Sequence, residues 1–432
     1  MKINPKKIDV LIGLQAGDEG KGAIIDRLAP RYDIIARFQG GPNAGHTLTI
    51  NKKAVVLHVI PSGVFQKKCL NLIGNGVVID PILLMQEIKS LKKIIPDIEK
   101  RILISLKTIL ITPSHILLDK MSELSRGNQK IGSTLRGIGP AYQDSISRNG
   151  LPVSSLIEPN FKQRYNVVKK NNFRILESYN EIFSNNFSLK EFEKTEKEWL
   201  VASQKLKKLN LVNCEYFLNT NIQKGKNILA EGAQGFWLDV MYGTYPFVTS
   251  SNTITAGVCT GLGVSPSTIG KVIGIVKAYT TRVGSGPFLT EQDNETGEKL
   301  RAEGHEYGAT TGRARRCGWL DLPGLKYAIM VNGVTSLAIT KLDVLDSFKK
   351  IKVCTGYQSI KEFSMNDFFN PKLKPLYREF DGWQTQTTEI RDHNLLPLKA
   401  QKYLNFIEKE LGVPIQYISV GPDRTQMLEI SS

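Results

Sequence analysis

The stretch that most restricts the fold is an apolar run, Ile8 to Ile12, that leads into Gly17-Asp18-Glu19-Gly20-Lys21-Gly22. A strand running into a turn with three glycines and a lysine sets bare backbone N–H groups and an ammonium where a phosphate can sit. The turn also carries a carboxylate pair, Asp18 and Glu19. Beside bound polyphosphate a carboxylate either holds a divalent cation or takes a proton from a nucleophile, and both belong to phosphoryl transfer. The turn is not a Walker A loop, because Gln15 and Gly22 stand where that motif needs its first glycine and its hydroxyl. Nor is there a GxGxxG stretch: the glycine pairs at 74 and 76, 137 and 139, 261 and 263, and 284 and 286 all lack the third glycine. A tight strand-to-helix connection without a ligand is the plain alternative for this turn.

Short β-branched runs alternate with amphipathic stretches, which points to an α/β fold: a large, mostly parallel central sheet flanked by helices. Ala23 to Leu28 opens the first helix and Asp33 to Arg37 reads as the next strand, entering Gln39-Gly40-Gly41-Pro42-Asn43-Ala44-Gly45-His46-Thr47. In an open sheet both glycine turns face one carboxyl-end crevice. His46 in that turn, with the Asn43 amide nearby, suits contact with a phosphate or a developing oxyanion better than a core role. Asp80-Pro81 starts a helix over Ile82 to Ile95, and 132–148 reads as a functional loop. Residues 151–221 read as a Lys/Asn-rich helical insertion in a single domain spanning 1–432.

In the second half, strands at Asn227 to Ala230, Lys271 to Tyr279, Leu337 to Thr340 and Gln416 to Val420 each end in a polar turn. These turns hold Glu231-Gly232-Ala233-Gln234-Gly235, Thr280 to Gly284, Lys341-Leu342-Asp343 and Gly421-Pro422-Asp423-Arg424. Lys341-Leu342-Asp343 matches the end of the guanine-reading NKxD element, with Thr340 in place of the Asn. Thr244 to Asn252 adds hydroxyls and an amide, and 308–316 packs Arg313, Arg315 and Arg316 among glycines and threonines. Such arginines suit carboxylates or phosphates, the alternative being a solvated basic loop.

Lys and Arg exceed Asp and Glu by 57 to 41, a formal charge of +16. The excess favours anionic partners, yet it is spread over helix faces such as 169–172 and 205–208, and no nucleic-acid-binding signature accompanies it. Five scattered cysteines without a CxxC pair suit reduced thiols and a cytoplasmic location, and the five histidines form no zinc pattern. No apolar run approaches the roughly 20 residues of a membrane span, so no membrane partner is expected.

Taken together, GDEGKG at 17–22, GGPNAGHT at 40–47, RGIGPAY at 136–142, EGAQG at 231–235, GTYPFVTSSNT at 243–253, GATTGRAR at 308–315, TKLDVLD at 340–346 and SVGPDR at 419–424 closely resemble the adenylosuccinate synthetase family. The resemblance implies a P-loop-NTPase-like fold without a Walker A loop. It also implies GTP-dependent, Mg²⁺-dependent ligation of L-aspartate to IMP through a 6-phosphoryl-IMP intermediate.

By that resemblance Asp18 and His46 are catalytic, and Asp18 with Gly45 holds the metal. GTP falls to Gly17, Glu19, Gly20, Lys21, Gly22, Gly45, His46, Thr47, Arg315, Lys341, Leu342, Asp343, Ser419, Val420 and Gly421. IMP falls to Asp18, Lys21, Asn43, Ala44, Gly45, His46, Thr134, Gln234, Thr249 and Arg313, with Arg148 reaching the IMP of a neighbouring subunit in a homodimer. Aspartate falls to Ala309, Thr310, Thr311, Gly312, Arg313, Ala314 and Arg315. Leu14, Ala16, Leu135 and Ala314 depart from the family pattern, Leu135 standing where a glycine usually follows the IMP-contacting threonine.

Two other classes compete. A GTP-binding switch would use the KLD element and Asp321-Leu322-Pro323-Gly324 as a DxxG, but lacks a Walker A loop. A nucleic-acid-binding protein would use the charge, but its arginines would lie along a helix or among aromatics.

Overall fold

Alternation along the strands decides the layering. In the first strand Ile8, Val10 and Ile12 join one buried cluster and Leu11 joins another, so both faces of the sheet are covered. The structure is a computed structural model and describes residues 7–50, 53–308 and 312–430. Its first half runs β1 (Ile8–Gly13), α1 (Lys21–Leu28), β2 (Ile34–Arg37), β3 (Leu70–Ile73), α2 (Pro81–Leu91), β4 (Ile102–Ser105), α3 (Pro113–Ser125) and α4 (Ile138–Ile146). Next come α5 (Phe161–Glu177), α6 (Leu189–Leu206), β5 (Asn210–Val212), β6 (Ile228–Glu231), β7 (Ile269–Lys277), β8 (Ser336–Thr340), β9 (Ile415–Ser419) and β10 (Met427–Glu429), with further helices and strands between.

These strands form one ten-stranded sheet in the order β10-β9-β8-β7-β1-β6-β2-β3-β4-β5. All neighbours pair in parallel except the edge strand β10, which runs antiparallel to β9. β1 lies between β7 and β6, so its glycine turn opens at the centre of the carboxyl edge, beside the turns after β6 and β8.

Three sequence expectations change. The 132–148 stretch is not all loop, since α4 occupies Ile138–Ile146. Only Ile138, Ala141 and Asp144 turn inward, a face too sparse in large apolar residues to give a periodic signal. The 151–221 stretch is largely helical, but it also supplies β5 to the sheet edge. Phe161 and Tyr165 of α5 stack on Trp199 of α6 within a large buried cluster, and Trp199 Nε1 donates to the Ile111 carbonyl at 2.7 Å. The second helix begins where expected, Asp80 accepting from Ile82 N at 2.8 Å, but ends at Leu91 rather than Ile95. Among the described residues no helix is long and apolar enough to cross a membrane, and all five cysteines are free thiols.

Candidate active site

The turn after β1 is held from beneath. Glu19 is fully buried and accepts from Gln15 N at 3.1 Å, Gly17 N at 2.9 Å and Lys21 Nζ at 2.5 Å. Its side chain therefore braces the turn and does not line the cavity above it, which limits the expected contact with nucleotide to its backbone. Asp18 is the turn's carboxylate toward the cavity, one third exposed, and its Oδ2 accepts from Arg315 Nε at 2.8 Å. Gly20 has φ 90°, the left-handed region that glycine adopts without strain, and sets the first turn of α1. At Gly22 an added β-carbon would lie 2.8 Å from His46 Cβ, so glycine alone lets α1 meet the strand His46–Ile50.

His46 is buried and polarised. Its Nδ1 lies 2.7 Å from Glu231 Oε1 and 3.2 Å from Ser62 Oγ, while Ser62 donates from N and Oγ to the same carboxylate at 2.8 and 2.9 Å. A carboxylate only accepts, so Nδ1 carries the ring proton and Nε2 presents its lone pair. Burial, with Arg37 and Lys21 nearby, pushes the imidazole below its ordinary pKa despite the carboxylate. Burial also opposes ionisation of Glu231, but the His46 hydrogen bond and the Arg37 charge outweigh it and hold the carboxyl low. The ground state is thus a neutral ring on a charged carboxylate.

The turns after β2 and β6 are tied together by Gln39, which donates to the Ala233 carbonyl at 2.6 Å and accepts from Ser251 Oγ at 2.8 Å. Asp239 accepts from Met241 N, Tyr242 N and Thr253 N, fixing the loop that carries Thr249. Asn43 Nδ2 reaches Thr249 Oγ1 at 3.5 Å. Asn43 Oδ1, His46 Nε2, both amide atoms of Gln234, Arg282 Nη1 and Asp343 Oδ1 are all buried without a hydrogen-bond partner, and all six belong to residues lining one cavity. Buried polar atoms are nearly always paired, so this concentration marks a ligand site. Thr134 lines the same cavity; Leu135 beside it takes φ 56°, where a glycine would sit without strain.

At the β8 end Thr340 Oγ1 donates to the Glu19 carbonyl at 2.6 Å, which gives the threonine at the Asn position of NKxD a structural partner and ties the turn after β8 to the turn after β1. Lys341 sits at φ 58° and donates to Gly304 O at 2.6 Å and Glu306 Oε1 at 2.9 Å. Glu306, fully buried, also receives Lys277 Nζ at 2.9 Å, Arg315 Nη1 at 2.6 Å and the Tyr279 hydroxyl. One carboxylate thus links the Lys341 turn to the Arg315 that holds Asp18. Asp343 is pushed up to about 6 by burial. Ser419 and Gly421 close this end, Ser419 Oγ donating to Gly421 O at 2.8 Å, while Leu342 and Val420 are buried behind it and do not line the cavity.

The remaining expectations divide. Ala309, Thr310 and Thr311 lie outside the described residues. Gly312, Arg313 and Ala314 do not line the cavity, although an added β-carbon at Gly132 would come within 3.9 Å of Arg313 Nη1. Arg148 is exposed just past the end of α4 and does not itself line the cavity, although Ile146 and Ser147 before it do. Asp321 of the DxxG pattern caps the helix Leu322–Asn332, accepting from Gly324 N at 3.1 Å and from Tyr357 at 2.5 Å, remote from the cavity. Sequence reasoning missed Glu231 as the His46 partner, Glu306, Lys277 and Arg282. Glu231 and Arg282 left a signal, as members of the polar turns at 231–235 and 280–284.

The cavity holds about 1360 Å³, above the ~300–1,000 Å³ usual for one small ligand, so it has room for more than one substrate. Among the described residues no three acidic, histidine or cysteine side chains converge. Asp18 turns a carboxylate toward the cavity that Gly45 also lines, the donor type that suits Mg²⁺, which usually takes one or two carboxylates and completes its shell with substrate oxygens. The adenylosuccinate synthetase family model matches residues 10–428. The chain belongs to the adenylosuccinate synthetase family. It is 50 % identical to the adenylosuccinate synthetase of Parabacteroides distasonis over 425 residues, 98 % of each chain. With that of Flavobacterium johnsoniae the identity is 51 % over 426 residues, 98 % of this chain and 99 % of the other. A fully ligated adenylosuccinate synthetase from Plasmodium falciparum superposes with TM-score 0.90 at 37 % identity, covering 98 % of this chain and all of that one. A succinoaminodeoxyadenylate synthetase of cyanophage S-2L, at TM-score 0.62 and 19 % identity, shares the fold. As a member of the adenylosuccinate synthetase family the chain is a ligase of AMP biosynthesis, joining L-aspartate to IMP with GTP to give adenylosuccinate, GDP and phosphate.

Proposed function

We propose that Asp18 takes the N1 proton of IMP so that O6 attacks the γ-phosphorus of GTP, and that His46 faces the transferring phosphoryl group. Arg315 on Oδ2 orients the Asp18 carboxylate. His46 is neutral before ligands arrive; the charge of the triphosphate favours protonation at Nε2, which then donates while Glu231 stabilises the imidazolium. The amine of aspartate next displaces phosphate at C6, and O6 departs with it. Asp18 and the Gly45 carbonyl would hold Mg²⁺, which when bound would neutralise phosphate charge.

IMP is assigned to Lys21, Asn43, Ala44, Gly45, Thr134, Gln234 and Thr249, and the guanine to Lys341 and Asp343, with Ser419 and Gly421 closing over it. Aspartate is assigned to residues 309–315 with Arg313 as carboxylate clamp. The chain is proposed to act as a single cytoplasmic domain in a homodimer in which Arg148 serves the partner's IMP. The observation that carries this reading is the set of unpartnered polar atoms in one cavity: an imidazole nitrogen, two amide side chains and a carboxylate oxygen, spaced across a volume larger than one nucleotide needs. The test is phosphate release with Mg²⁺ and GTP in four mixtures: no addition, IMP, aspartate, and both. Phosphate and adenylosuccinate together only in the complete mixture support it; GTP hydrolysis indifferent to IMP and aspartate would overturn it.

A further inference from the structure

One face of α3 carries His115, Asp119 and Glu123 at intervals of four residues, all buried, and each side chain is bonded to the segment 131–148. His115 Nε2 pairs with Asp144 Oδ2 of α4 at 2.8 Å, its Nδ1 accepting from Thr112 N at 3.0 Å. Asp119 accepts from Ser133 Oγ at 2.6 Å and from Gly137 N at 2.9 Å. Glu123 accepts from Ile131 N at 3.3 Å and Gly132 N at 3.0 Å. Both ends of the 131–137 loop are thus gripped by carboxylates one helical turn apart, with Thr134 and the left-handed Leu135 between them.

We infer that Asp119 and Glu123 are positioning residues that hold the Thr134 loop in its IMP-receiving form. The inference rests on the assignment of Thr134 to IMP. Among the described residues neither carboxylate forms an ion pair; each is committed to backbone amides or to a hydroxyl of the loop, and a helix face that only packed would not bury two carboxylates for that purpose. Held this way, Thr134 is presented to the cavity, and loosening either end of the loop would charge the entropy of fixing it against substrate binding. The strained Leu135 makes such a grip more necessary than a glycine would.

The test uses Asp119→Asn, Glu123→Gln and Thr134→Val in the full chain, with steady-state kinetics and amide exchange of 131–137. The carboxylate variants should raise KM for IMP about tenfold, leave KM for GTP within about twofold, and speed exchange at Ile131, Gly132 and Gly137. Unchanged KM for IMP in both variants, or a parallel rise in KM for GTP, would overturn the inference even if exchange accelerates. Should Asp119→Asn fail to fold, Glu123→Gln at the outer end of the stripe decides alone. Thr134→Val separates the two claims: if it leaves KM for IMP unchanged, the IMP assignment fails whatever the carboxylates do.

Discussion

Replacing Glu231 by glutamine isolates one negative charge at constant shape. The carboxylate receives His46 Nδ1 at 2.7 Å, Ser62 N at 2.8 Å and Ser62 Oγ at 2.9 Å. An amide keeps one acceptor oxygen, best spent on Ser62 N, and turns its NH₂ toward His46 and Ser62 Oγ. The ring then accepts at Nδ1 and carries its proton on Nε2. Each group that met the carboxylate still finds a partner, so the fold should lose only about 1–2 kcal/mol. The imidazolium, however, is forbidden, since its Nδ1–H would face the amide N–H. A neutral donor replaces a charge-assisted one of roughly twice the strength in a water-poor site, and kcat should fall roughly 10²–10³-fold, or about 2.7–4 kcal/mol.

Single-turnover phosphate release across pH is the assay. The wild type should lose activity at high pH as His46 in the complex gives up its proton, and Glu231→Gln should lack that basic limb. A variant with kcat within about threefold of wild type and the same limb would refute the role given to the His46–Glu231 pair. The free protein adds a sign check. His46 has a lowered folded pKa, so its contribution to stability is present above the unfolded value of 6.5 and is lost as pH falls below it.

Other outcomes follow from the same geometry. Asp343, pushed up to about 6, must be ionised to accept from guanine, so kcat/KM for GTP should fall as pH drops below about 6. Because that raised folded pKa means stability is lost as pH rises through it, Asp343→Asn should gain on the order of 2 kcal/mol at neutral pH while narrowing the preference for GTP over ITP; thermal melts and paired KM values check both. Mixing inactive Arg148→Ala with inactive Asp18→Asn should restore about a quarter of wild-type activity by subunit exchange, since one site of each mixed dimer has both groups; a mixture as dead as its parents would place Arg148 outside any shared site.

The strands and their glycine turns were legible because period and punctuation are local. Ile8 to Ile12 and the Lys271 to Tyr279 run needed no partner to be read, and Asp18, His46, Lys341 and Asp343 stood out as chemistry in turns. What escaped is non-local. Glu231 lies 185 residues from His46, and Glu306 lies 35 from Lys341, so nothing near either carboxylate announces its partner. Glu19 looked like a ligand because it adjoins Asp18, yet the turn's own amides and Lys21 claim it. The α3 stripe was written plainly at spacing four, but charged residues at that interval usually describe a solvated face, and only the contacts to 131–144 show otherwise.

The account turns on O6 of IMP attacking GTP, and following that oxygen tests it most directly. With IMP labelled by ¹⁸O at C6, aspartate, GTP and Mg²⁺, mass spectrometry of the released phosphate should find one labelled oxygen for each adenylosuccinate formed. Unlabelled phosphate, with the ¹⁸O recovered in water, would mean that GTP is hydrolysed without phosphorylating IMP, and the roles given to Asp18 and His46 would fall with it.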